Sequence, residues 1–393
     1  MRRWPGWIVL ILLFGACGGE PAATTATTST LPTTTALPVT STTAAVSSTT
    51  TALLATTAPP PERVEEVEIP APSLAGSLVG EPTTRIIQVY LPPSYASGDR
   101  AYPVVLYLPG FSSGDMYRVR LPNDVDALVE AGRIAELLLV VVDGRGVLGG
   151  SFYVDSPVTG EWEQYLVDDV VGYVEAHYRT LGRPQSWGIC GHSMGGFGAW
   201  NLAMRHPDVF GAVYALSPGL FGPDGLAESQ MFAEERTVEG MLAFRGRLSG
   251  LDPGEVLAEL RSAPDRFTVA YGAAFAPDPA DTLLFDYPLA ATDGGFERDE
   301  AVWARWESGF GGLATEVPEY ADNLRQLRGI VVDYGRWDEY RWIPKGCAYV
   351  DELLTAEGIE HQVVAYDGYH SGSLGERIRE HVLPFFSTVL AAG

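Results

Sequence analysis

The chain has one lysine, Lys345, and three cysteines, Cys17, Cys190 and Cys347, among its 393 residues. With a formal net charge of −24 and no clusters of Lys and Arg, it lacks the surface that grips a phosphate backbone, which argues against a nucleic-acid partner. A Walker-type phosphate loop is excluded because Gly346, not Ser or Thr, follows Lys345. The sequence contains no His-Glu-x-x-His and no paired-cysteine spacing, so no metal site is expected and no cofactor is called for. Charge is missing altogether from residues 21 to 61, which are almost entirely Thr, Ala, Ser, Pro, Leu and Val and cannot build a packed core.

What the chain does contain divides it in three. Arg2 and Arg3 precede an apolar run from Trp7 to Phe14, then Gly15, Ala16 and Cys17, the order of a secretory signal peptide. That run is too short to span a bilayer. Leu13-Phe14-Gly15-Ala16-Cys17 resembles the lipobox of bacterial lipoproteins, in which the cysteine is lipidated, with Phe14 departing from the usual Leu. The expectation is an extracytoplasmic protein held to the outer face of the cell membrane by a lipid on Cys17, or otherwise secreted. Residues 18–62 then read as a stalk. Only Cys190 and Cys347 remain beyond it, so at most one disulfide can form there, and Cys190 reads as a small buried hydrophobe.

The chain as a whole is 46% hydrophobic and 19% charged, a balance that suits a globular fold, which is expected from residue 63 onward. Short runs rich in Val, Ile and Leu recur at Ile86–Leu91, Val104–Leu108, Leu137–Val142, Trp187–Cys190, Ala212–Leu216, Ile330–Val332 and Val363–Tyr366. Helical patterns between them, such as Leu166, Val170, Val171, Val174 and Tyr178, predict an α/β fold with a mostly parallel sheet covered on both faces. Residues 219–318 break this rhythm and read as an inserted cap, helical over Met231–Leu248 and short of strand signals. Its aromatics Phe285, Tyr287, Trp303, Trp306 and Phe310 suit the cap's own core, with a pocket wall as the alternative.

Gly191-His192-Ser193-Met194-Gly195 follows the strand ending at Cys190 and precedes a helix-forming run, the spelling and context of a nucleophile elbow. A serine hydroxyl is a weak nucleophile at neutral pH and needs a histidine to take its proton and a carboxylate to orient that histidine. In elbow enzymes the order is Ser, acid, His. His206 comes too early to leave room for an acid, His361 opens a strand and His381 lies inside the last helix. His370, in the glycine-containing loop between last strand and last helix, is the expected base. Asp338, in the loop beyond Ile330–Val332, is the expected acid, with Glu339 a minor candidate and Asp333 expected to bond nearby loop amides. The oxyanion hole is expected from the backbone N–H groups of Met194 and Phe111, the latter in the exit of Val104–Leu108. Gly144-x-Gly146-x-x-Gly149 spells a dinucleotide fingerprint, but no helical pattern follows it, so it is read as a decoy.

The runs from Ser151-Phe152-Tyr153 to Glu163, Asp168 to Arg179, and Gly191 through His206-Pro207-Asp208 resemble the esterase D-like family of esterases. Its relatives include S-formylglutathione hydrolases, feruloyl esterases and secreted trehalose mycolyltransferases. The likeness covers about residues 82–220 and 328–390, and Pro109 departs from it where many relatives have histidine. It implies an α/β-hydrolase fold, a Ser193, Asp338 and His370 triad, and cofactor-free chemistry on a small-molecule or cell-envelope ester. The alternatives are an acyltransferase acting on a sugar or lipid hydroxyl, and a non-catalytic surface binding module.

Overall fold

The computed structural model describes residues 63–113 and 121–390. The signal-peptide and stalk expectations, Cys17 included, lie outside these residues. Eight strands form one sheet: β1 (Val64–Pro70), β2 (Thr84–Tyr90), β3 (Val104–Leu108), β4 (Leu138–Val142), β5 (Trp187–His192), β6 (Ala212–Leu216), β7 (Ile330–Gly335) and β8 (Gln362–Tyr366). Their order is β1-β2-β4-β3-β5-β6-β7-β8; β2 is antiparallel to both neighbours and every pairing from β4 to β8 is parallel. The α/β expectation holds.

Alternation of side chains along each strand explains why the central runs are apolar throughout. Val104, Leu106 and Leu108 of β3, with Leu138, Val140 and Val142 of β4, enter the core on one face. Val105, Tyr107, Leu139 and Val141 enter the core on the other, where residues 374–389 supply Leu374, Ile378, Val382, Leu383 and Phe386. β1 escaped the sequence reading because Val-Glu-Glu-Val-Glu is half charged, a composition tolerated only at a sheet edge.

Two helical expectations need adjustment. The run 162–177 widens to i→i+5 bonding over Tyr165–Val170 and ends at His177, with Tyr178 already extended at φ −123° and ψ 154°. The buried stripe therefore stops at Val174. In the insertion, the helix expected from Met231 begins at Glu235, as α1 (Glu235–Leu248). It is followed by α2 (Pro253–Arg261), started by a reciprocal Asp252 and Glu255 capping box, α3 (Arg266–Phe275) and α4 (Glu300–Gly311). A two-stranded ribbon, Leu289–Thr292 against Gly295–Arg298, went unread in sequence. Phe285, Tyr287, Trp303 and Trp306 are buried in the insertion around Phe232.

Candidate active site

β5 runs straight into the helix Met194–Arg205, and the residue between them, Ser193, sits at φ 58° and ψ −116°. A non-glycine residue there is strained by about 1–3 kcal/mol and persists only where its surroundings fix it. They do so here. Ser193 N–H donates to Leu216 O at 2.9 Å, while its carbonyl accepts from Phe197 N–H at 3.0 Å and Gly219 N–H at 3.2 Å. The motif's glycines are required sterically: a Cβ on Gly191 would lie 2.2 Å from Gly195 O, and one on Gly195 would lie 1.9 Å from Leu108 O. Neither obstacle is a movable side chain.

The loops after β7 and β8 bring Asp338 and His370 together. His370 Nδ1–H donates to Asp338 Oδ2 at 2.8 Å, and both side chains are buried. The other carboxylate oxygen, Oδ1, accepts from Tyr340 N–H at 2.8 Å. Because Nδ1 carries the proton toward a carboxylate, Nε2 is left as the acceptor, the tautomer that a general base requires. The main chain of His370 is clamped as well. Its N–H donates to Glu339 Oε2 at 3.1 Å, and its carbonyl accepts from His192 Nε2–H at 3.0 Å and Ser217 Oγ at 3.4 Å. Burial pushes the Glu339 carboxyl up, but the amides of His370 and of Glu339 itself, with the nearby His370 imidazole, together outweigh it and hold Glu339 below its usual range. Burial first, and the neighbouring His370 second, push His192 down to about 3, so this imidazole is neutral beside His370.

Ser193, His370, His192, Met194 and Phe111 line one cleft of about 310 Å³. No hydrogen bond joins Ser193 Oγ to His370 among the described residues; such bonds commonly tighten only with substrate in place. The backbone N–H groups of Met194 and Phe111 donate to no acceptor among the described residues. Phe111 reaches this position because Gly110 passes close over the elbow, where a Cβ would stand 3.4 Å from Ser193 Cβ and 3.2 Å from His192 O. Pro109, the departure from the family pattern, is tied down through its carbonyl, which accepts from Tyr153 Oη–H at 2.8 Å. Phe310 of the insertion, with Phe267 and Trp342, forms an aromatic wall of the cleft.

The remaining candidates lie elsewhere. His206 Nε2 bonds Glu163 at 2.8 Å and His361 Nε2 bonds Asp351 at 2.8 Å. Asp333 has the loop amide of Ser217 beside its carboxylate, as expected, but its stronger partners are others. It belongs to the buried end of β7, where its carboxylate accepts from the Arg377 guanidinium and from Tyr214 Oη–H at 3.1 Å. Cys190 and Cys347 are both free and buried. Gly144, Gly146 and Gly149 lie in the loop after β4, which opens no helix. Among the described residues no group of His, Cys, Asp or Glu is arranged to hold a metal ion, and no helix is long and apolar enough to cross a membrane. Sequence reasoning missed Tyr153, the amide of Tyr340 and the His192 bond. Of these, His192 inside the elbow motif and Tyr153 inside the run from Ser151 stood where a signal could have been sought.

The strand order and the elbow define an α/β-hydrolase. Residues 82–250 match the model of the family described as Putative esterase, in line with the resemblance carried by residues 151–208. Among curated relatives, Esterase Rv1288 of Mycobacterium tuberculosis is 26% identical over 125 residues, which is 30% of this chain and 26% of the relative. The chain thus spans about a quarter of that relative's length. Among solved structures, a ferulic acid esterase is 20% identical with a TM-score of 0.54, covering 83% of this chain and 97% of its own. A fluorophosphonate-binding serine hydrolase of Staphylococcus aureus is 13% identical with a TM-score of 0.50, covering 83% and 98%. At these identities both structures speak for the fold.

Proposed function

We propose that the protein is an exported serine esterase that hydrolyses carboxylic esters through an acyl-enzyme on Ser193. The observation that carries this reading is the convergence on one cleft of a strained Ser193 and a His370 imidazole whose Nδ1–H is committed to buried Asp338. In the first half, His370 Nε2 takes the Ser193 Oγ proton as oxygen attacks the ester carbonyl. The amides of Met194 and Phe111 receive the charge that grows on the carbonyl oxygen. His370 then gives the proton to the departing alkoxide. In the second half, water attacks the acyl-serine with His370 again as base, and acid and free serine result. The aromatic wall suits an apolar acyl or alcohol group.

Ser193→Ala is expected to abolish hydrolysis of p-nitrophenyl esters and labelling by a fluorophosphonate probe. Retained turnover in that variant would remove Ser193 from the mechanism, and an unlabelled wild-type protein would favour a binding module. Export and anchoring rest on the sequence of residues 1–17. Cys17→Ala is expected to release the protein from the membrane fraction, and a variant that still sediments with membranes would show that Cys17 is not the anchor.

A further inference from the structure

In a chain this acidic, one open cavity of about 460 Å³ is walled by Arg85, Arg145 and Arg266, with Asp143 and Ser112. Two of the three guanidiniums are answered. Arg85 stands 3.5 Å from Glu81 and donates to Asp143 O at 2.7 Å, while Arg145 grips the Asp143 carboxylate through Nε at 2.9 Å and Nη2 at 2.6 Å. Arg266 makes no hydrogen bond or ion pair among the described residues, and its Nε is closed off from solvent without an acceptor. Its neighbour Asp265 is already engaged, accepting from Thr268 N–H at 3.0 Å and Thr268 Oγ1–H at 2.6 Å. Arg261 adds another cation within electrostatic range of Glu81. Three guanidiniums thus line a cavity whose described wall carries a single carboxylate, Asp143.

A guanidinium without a counter-ion is a poor use of a half-buried site, and its planar fork matches two oxygens of a carboxylate or phosphate. The cavity also backs onto the cleft. A Cβ on Gly149, whose φ is 101°, would meet Arg266 Nη2 at 2.8 Å and Phe111 Cζ at 3.2 Å. One glycine thus lets the guanidinium and the oxyanion-loop phenylalanine pack over the same piece of backbone.

We propose that this cavity binds an oxyanion, a carboxylate or phosphate group, with Arg266 as its main ligand and Arg145 and the Ser112 hydroxyl at its rim. The group arrives either as a free inorganic ion or as part of an ester that reaches past Phe111. Binding at Arg266 requires no chemistry at Ser193.

The test titrates the full chain with sodium phosphate at constant ionic strength by calorimetry, beside Arg266→Gln, Arg266→Lys and Arg145→Gln, with thermal unfolding as the control for folding. Saturable binding is expected, weakened about tenfold or more by Arg266→Gln, less by Arg266→Lys, and weakened by added salt. Arg145→Gln, at the half-exposed rim, is the second variant if Arg266→Gln does not fold, and it is expected to weaken binding severalfold. A parallel arm compares kcat/KM for p-nitrophenyl butyrate and mono-p-nitrophenyl glutarate. A preference for the carboxylate-bearing ester that falls about tenfold in Arg266→Gln assigns the site to substrate, and phosphate binding without that preference assigns it to a free ion. Neither effect, or phosphate binding that all three variants leave unchanged, would overturn the site. If neither ester is hydrolysed the esterase reading fails, while the phosphate titration still decides this one.

Discussion

Replacing Asp338 by Asn tests the site most sharply, because the surrounding hydrogen bonds dictate which way the new amide must face. Oδ1 of Asp338 accepts from Tyr340 N–H and Oδ2 accepts from His370 Nδ1–H, each at 2.8 Å. An asparagine can keep an oxygen toward only one of these donors. The Tyr340 amide cannot change from donor to acceptor, whereas an imidazole can, so the carbonyl oxygen stays with Tyr340 and the NH2 group faces His370. Nδ1 must then accept, the proton moves to Nε2, and Nε2 becomes a donor with no lone pair for the serine proton. The same tautomer reversal in the well-studied serine proteases lowers kcat about 10⁴-fold, which is about 5.5 kcal/mol of barrier. The expectation here is a loss of that order in kcat for p-nitrophenyl acetate, with KM changed much less. Unfolding in urea should show that the variant is folded. An Asp338→Asn enzyme within about tenfold of wild type would refute the argument, and a matching loss in Glu339→Gln would shift the orienting role toward the carboxylate that holds the His370 amide.

Two further outcomes follow from distances and charge states already described. Gly195→Ala forces a methyl group to within 1.9 Å of Leu108 O, a backbone atom on a central strand, so a stability loss of about 3 kcal/mol or more is expected in urea; an unchanged midpoint would mean that the elbow can open. His192 is lowered from 6.5 to about 3 by burial, so between those values the unfolded chain binds a proton that the folded chain refuses. Stability is therefore fully present above pH 6.5 and drains away as pH falls, by about 3 kcal/mol from this residue at pH 4. His192→Asn, which keeps an N–H for the His370 carbonyl, is expected to lose less stability than wild type between pH 7 and pH 4. Equal losses would show that His192 titrates normally.

The parts of this molecule that local chemistry dictates could be read from its sequence. β3 and β6 were read at their true bounds because strands buried on both faces must be apolar at every position. The elbow was legible because its glycines answer a steric demand that few other arrangements make. Asp338 and His370 were placed by loop position alone, and the structure brings them to 2.8 Å. What could not be read depends on tertiary neighbours. β1 takes its character from an exposed edge, and Tyr178 leaves the helix where its apolar spacing would have continued it. Asp333 looked like a loop residue until Arg377, 44 positions away, supplied its partner. The arginine cavity assembles side chains from residues 85, 145 and 266, separations that no motif spans.

The bond from Gly219 N–H to the Ser193 carbonyl carries one more implication. The first residue of the insertion is fastened to Ser193 itself, and a few residues on, Phe221 N–H is fastened to Phe310 O in the helix Glu300–Gly311. An insertion rooted in this way is tied at its leading end to the turn that holds Ser193, as masonry rather than as a door. Selectivity is then altered by exchanging wall residues such as Phe310 or Phe267. Transplanting the whole insertion from a relative would unseat the serine along with it.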